Sequence, residues 1–171
     1  MELRQRKKIR LQNHDYSQPG CYFITVCTYN RENFFWASDP VGADIIRPSH
    51  QMLSRYGIIV EQAIIGIPQH YGGTDVDKYV IMPNHVHMIL TLSQTHRRMI
   101  SAPTKSVSTI IGQMKRFSSK TCGVSFWQKG FHDHIIRDEA EYLRICEYIE
   151  NNPAKWQEDI YYAVPKGEML L

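Results

Sequence analysis

The sequence has no CxxC pair, no run of about 18 apolar residues, and no acidic residue between Asp77 and Asp133. The first absence, with Cys21, Cys27, Cys122 and Cys146 scattered along the chain, excludes a zinc knuckle and a dense disulfide framework and leaves four reduced thiols as the expectation. The second excludes a bilayer-spanning helix. The basic start MELRQRKKIR leads into LQNHDYSQPG and not into an apolar segment, so it is not read as a signal peptide, and a cytoplasmic protein is expected. The third leaves eight lysines and arginines between those two aspartates unopposed, so the overall charge of +3 understates a basic surface suited to an anionic partner such as nucleic acid. Arg4, Arg6, Lys7, Lys8 and Arg10 against Glu2 form a second basic cluster, although lysines that merely solvate a helix face would look the same. With 43% apolar and 22% charged residues over 171 positions, one globular domain is the simplest organisation, with neither wholesale disorder nor a fibrous architecture favoured and no internal repeat.

Periodicity supplies the elements. GCYFITVCTYNR alternates as a β-rich run, and WASDPVGADIIRPSHQ reads as a loop. Leu53, Tyr56, Val60, Ala63, Ile64 and Ile67 predict a helix over roughly 51–67, stopped by Pro68. GGTDVDKYVIM predicts a second strand, Pro83-Asn84 a tight turn, and HVHMILTL a third strand. After the basic connection QTHRRMISAPTKS, the positions Val107, Ile110, Ile111, Met114 and Phe117 predict a helix ending before Gly123. Its polar side carries Lys105, Lys115, Arg116 and Lys120. A fourth strand is expected over 131–136, then a helix opened by the Asp138/Glu141 capping signature and running to about Asn151, because Pro153 disfavours helical geometry in the residue before it. The order predicts an α+β, ferredoxin-like βαββαβ fold: an antiparallel four-stranded sheet with two helices on one face and an appended C-terminal helix.

On a strand, residues two apart share a face, so His85 and His87 project together while Val86, Met88, Leu90 and Leu92 point the other way. Two neutral imidazoles side by side make a bidentate platform for a divalent ion, but two histidines hydrogen-bonded at a sheet surface would show the same spacing. On the last helix Tyr142, Ile145, Cys146 and Ile149 form an apolar stripe, with Tyr148 and Asn152 together at its edge, about 40° apart on a wheel of 100° per residue. A phenol oxygen and an amide oxygen can thus be brought opposite the histidine face. His132 and His134 repeat the same-face spacing and are expected to be structural or substrate-facing, and Trp127 to be an anchoring aromatic.

HVH at 85–87 followed some sixty residues later by YIENNP resembles the histidine-hydrophobe-histidine signature and single tyrosine of HUH transposases. The likeness is closest to the REP-associated tyrosine transposases, relatives of the single-tyrosine insertion-sequence enzymes. It extends over PGCYFITVCTYNR, YVIMPNHVHMIL and FWQKGFHDHIIRDEAEYLRICEYIENNPAKW. The resemblance implies that His85, His87 and Asn152 hold Mg²⁺ or Mn²⁺, and that Tyr148 is the nucleophile, forming a 5′-phosphotyrosine link and freeing a 3′-hydroxyl. Single-stranded DNA carrying REP hairpins is the implied partner, contacted by Arg4, Arg6, Lys7, Lys8, Arg10, Lys115, Arg116 and Lys120 in a nucleoid-associated monomer or homodimer. The implied division is a basic arm over 1–20, a catalytic domain over 21–153 and a tail over 154–171 packing on it. A non-cleaving nucleic-acid-binding regulator with the same fold is the alternative. A zinc hydrolase is weaker, because no acidic general base stands at a recognisable spacing from the histidines.

Overall fold

The computed structural model describes residues 15–37, 52–93 and 105–162. Residues 4–10 and most of the expected connections over 36–51 and 94–106 lie outside the described residues, as do positions 163–171. The elements are β1 (Gly20–Cys27), α1 (Arg55–Ile65), α2 (Ile67–His70), β2 (Thr74–Ile81), β3 (His85–Leu92), α3 (Val107–Cys122), β4 (His132–Ile136) and α4 (Glu139–Asn151). Short 3-10 turns follow β1 at Tyr29–Arg31 and α4 at Pro153–Glu158. The sheet order is β2-β3-β1-β4 with every neighbour antiparallel, which is the ferredoxin-like arrangement.

Two local expectations change. The first helix starts at Arg55, where the Ser54 hydroxyl accepts from the Tyr56 and Gly57 amides. It ends at Ile65, and Pro68 does not stop it; Pro68 sits in the first turn of the separate α2, where a missing N–H is harmless. Likewise α4 ends at Asn151, but Asn152 keeps helical angles (φ −57, ψ −43), so the proline redirects the chain into a 3-10 turn without pushing its predecessor out of the helical region.

The pleat sorts the sheet into two faces. Tyr22, Ile24 and Val26 of β1 stand beside Leu90, Met88 and Val86 of β3, all buried under α1 and α3, which pack together on that side. Gly57 lets α1 approach closely: a Cβ there would lie 2.3 Å from the Phe35 carbonyl oxygen. Gly123 closes α3 at φ +69, the left-handed cap the sequence anticipates. The opposite face carries Phe23 and Thr25 of β1, His85 and His87 of β3, and His132 and His134 of β4. Against that face lies α4, started by the Asp138 carboxylate accepting from the Glu141 amide. Glu141 answers by accepting from the Arg137 amide, one residue before the reciprocal partner of a capping box.

Candidate active site

His85 and His87 are buried, 0% and 1% exposed, with ring centroids 4.5 Å apart. Each uses Nδ1 to fix its orientation. The Asn84 amide nitrogen donates to the Arg31 and Tyr161 carbonyls (3.1 and 2.8 Å), so its oxygen is the acceptor that faces His85 Nδ1 at 2.8 Å. His85 therefore carries its proton on Nδ1 and its lone pair on Nε2. His87 Nδ1 meets the Thr25 hydroxyl at 2.8 Å, and its Nε2 meets the Tyr148 hydroxyl at 3.2 Å. Burial lowers the pKa of His85 to about 3, with Arg31 adding to the shift, and burial holds His87 well below the usual imidazole range. Both rings are neutral at pH 7, the state in which imidazole ligates metals.

Tyr148 lies at the rim of α4, 41% exposed as a residue, edge-on to Phe23, whose ring in turn stacks on His87 at 5.3 Å. Burial of its hydroxyl end, with the Asp159 charge, pushes its pKa up to about 12. Asn152, one turn on, is 3% exposed. The structure thus brings together four residues that sequence reasoning selected: His85, His87, Tyr148 and Asn152.

It also adds Asp159, which sequence reasoning missed. Its carboxylate accepts from Asn152 Nδ2 (2.9 Å) and the Tyr161 amide (2.6 Å) and stands 4.0 Å from His85 Nε2, with only 3% of the side chain exposed. Because the Asn152 nitrogen is taken by Asp159, its Oδ1 is left buried without a hydrogen-bond partner among the described residues, as is His85 Nε2. Two buried lone pairs without a donor, on His85 and Asn152, thus lie beside a buried carboxylate, an arrangement that fits a cation. His85, His87 and Asp159 offer ligand atoms within 4.8 Å of one another. No periodicity marked Asp159, because it follows a 3-10 turn and not a regular element. Trp156, 3% exposed and 5.9 Å from His85 between ring centroids, docks that turn. Arg31, in a left-handed conformation at φ 57, ties the end of it by donating to the Ile160 carbonyl at 2.8 Å and lying over the Tyr161 ring.

The basic candidates separate. Arg4, Arg6, Lys7, Lys8 and Arg10 lie outside the described residues. Arg116 and Lys120 are exposed, whereas the Lys115 ammonium donates to the Gln128 and Gly130 carbonyls (2.5 and 2.7 Å), bracing that loop against α3. Trp127 donates to the Ser118 hydroxyl and packs on Phe35 and Phe126. All four cysteines are free, and among the described residues no helix is long and apolar enough to cross a membrane.

Comparison with known proteins gives this geometry a family. An uncharacterized protein of Haemophilus influenzae is 34% identical over 94% of both chains. A REP-associated tyrosine transposase of Escherichia coli is 26% identical, over 82% of this chain and 70% of that one. The fold matches a solved structure of a REP-associated tyrosine transposase bound to a REP hairpin, with a TM-score of 0.60 at 23% identity, covering 86% of this chain and 74% of the other. Residues 44–152, which contain the paired histidines and Tyr148, match the family described as transposase IS200 like. The chain belongs to the IS200-like transposase family, as a relative of its REP-associated tyrosine transposases.

Proposed function

We propose that this protein cuts and rejoins single-stranded DNA bearing REP-type hairpins, with Tyr148 as the nucleophile. The observation that carries the reading is the Tyr148 hydroxyl 3.2 Å from His87 Nε2, beside the unpartnered His85 Nε2 and Asn152 Oδ1. The Tyr148 oxygen forms a bond to the scissile phosphorus, the bond from phosphorus to the 3′-oxygen breaks, and the 3′-oxygen leaves with the electron pair and takes a proton. The phenol proton passes to solvent water, the same pool that supplies the proton taken by the departing 3′-oxygen. Since one phosphodiester replaces another, a 3′-hydroxyl can later reverse the step and rejoin the strand.

His85 and His87 through Nε2, Asn152 through Oδ1 and the Asp159 carboxylate would hold Mg²⁺ or Mn²⁺. A divalent cation there supplies charge that polarises the scissile phosphate and favours the phenolate. Asn84 and Thr25 serve by orienting the two rings, as outer partners of metal-bound histidines do. Tyr148 reaches His87 of its own chain, which supports attack in cis by a single subunit. Arg116, Lys120 and the basic arm over residues 1–20 would bind phosphates outside the site, placing the protein at the nucleoid. Deleting residues 1–10 should weaken hairpin binding and flatten its dependence on salt; unchanged binding across a salt titration would remove the arm from this scheme.

The test is to incubate the protein and its Tyr148→Phe variant with hairpin single strands and Mg²⁺ or Mn²⁺. A covalent protein–DNA adduct formed by the wild type and absent in the variant is the expected result. Binding without an adduct in the wild type would instead mark a non-cleaving regulator.

A further inference from the structure

The two paired-histidine strands look in the same direction. His132 and His134 of β4 pair with Thr25 and Phe23 of β1, which pair in turn with His87 and Ile89 of β3, so the four imidazoles rise from one face of the sheet. α4 and the chain after it cover the β3 half of that face, while His132 and His134 remain exposed. Between the pairs the floor is Thr25, bonded to His87, and Phe23, in contact with both His87 and Tyr148. Thr25 is only 5% exposed, so the uncovered part of the face is the shelf formed by half-buried Phe23, beside Tyr148, with exposed His132 and His134.

The groups on the shelf differ in their attachments. His134 is tied to the Glu141 carboxylate at 2.7 Å and so to the first turn of α4. The His132 side chain makes no hydrogen bond or ion pair among the described residues. Exposed Lys129 and Arg137 stand near the two ends of β4, and Asp133 lies in register with Ile24 on the opposite face of the sheet. On the His132 face of this edge the unpaired side chain is thus an imidazole able to donate one N–H, whereas the unpartnered Oδ1 of Asp133 belongs to the opposite face. Polar side chains on an edge strand also deter pairing with other chains, but that role does not require an unpartnered imidazole in line with His87.

We infer that this shelf seats the DNA strand next to the scissile bond, with His132 donating to the phosphate adjoining the one that Tyr148 attacks. The inference rests on the assignment of Tyr148 as nucleophile. The backbones of β3 and β4 stand two inter-strand spacings apart, about 9.6 Å, with Thr25 between them. A strand leaving the His87–Tyr148 spot meets α4, Trp156 and Tyr161 on the covered side. On the open side it passes the half-buried Phe23 ring, which touches Tyr148, and reaches the exposed His132 and His134 one strand away.

A chemical double-mutant cycle tests this. Single-turnover cleavage is measured for wild type and His132→Ala with hairpin oligonucleotides in which each phosphate flanking the cleavage site is replaced, one at a time, by a neutral methylphosphonate. His132→Ala is expected to slow cleavage about tenfold, one methylphosphonate to do the same, and the two together to cause no further loss. His132→Gln, which keeps an N–H donor, should recover most of the rate. Additive losses at every flanking phosphate, or wild-type rates in His132→Ala, would overturn the inference. If wild type forms no adduct with the unmodified hairpin, the tyrosine assignment fails, and the same cycle read as equilibrium binding to Tyr148→Phe protein decides the shelf separately: non-additivity at one phosphate upholds it and additivity at all removes it.

Discussion

Two strands of this sheet carry His-x-His on the same face, yet β3 buries its pair completely while β4 leaves its pair exposed. The motif therefore does not decide the chemistry; what covers it does. Over β3 lie α4, with Tyr148 and Asn152, and the 3-10 turn that delivers Asp159 and Tyr161. Desolvation there keeps both imidazoles neutral, the state in which they can ligate a metal ion. Over β4, among the described residues, Glu141 holds His134 and the Arg137 amide but leaves His132 exposed, and an imidazole in water keeps its freedom to meet a ligand from solution.

The sharpest way to break the contrast is to remove the covered pair. His85→Ala or His87→Ala should abolish Mn²⁺ binding in calorimetry and adduct formation in the cleavage assay, while His132→Ala leaves Mn²⁺ binding at the wild-type level. A smaller effect is expected at Asp159. Asp159→Asn should weaken Mn²⁺ binding by about ten- to a hundredfold and also lower the metal-free melting temperature, because the amide nitrogen replaces one of the two oxygens that accept from Asn152 and Tyr161. Unchanged Mn²⁺ affinity would remove Asp159 from the site.

Acid provides a third comparison. The folded-state pKa values of His85 and His87 lie below the value of about 6.5 expected for the unfolded chain. Between pH 6.5 and about 3 the unfolded chain thus binds protons that the folded one does not, and folding stability falls as pH is lowered through that window. Denaturant melts in a chelator should lose up to about 1.4 kcal/mol per pH unit for each histidine. The slope should flatten in a His85→Gln/His87→Gln protein, and an equally steep slope in that variant would place the effect elsewhere. The smallest change loosens the cover itself: Asp138→Ala removes the carboxylate that starts α4 and should lower stability by about 1 kcal/mol in the same melts.

Much of this was legible in the chain. The alternation in HVHMILTL placed His85 and His87 together with an apolar back, and the stripe ending at Ile149 placed Tyr148 and Asn152 at one helix edge. The Asp138 cap and the Gly123 stop fell where the structure has them, because caps and periodicity are local. Lys115 looked like its neighbours Arg116 and Lys120, since nothing local reports that two loop carbonyls lie within its reach.

Sequence by itself determined which residues share a face, since side-chain direction follows from backbone periods of 2 and 3.6. It also determined the order of elements that makes a ferredoxin-like sheet. Tertiary structure alone decided which face is dry, and that choice turned one histidine pair into a candidate cation site and left the other at the surface. It also decided that Asp159, 74 positions after His85 in the numbering, completes the first pair. The physical reason is that burial and ligand geometry depend on groups distant in sequence, and an irregular turn docked by Trp156 and Arg31 carries no repeating pattern to announce where it will land.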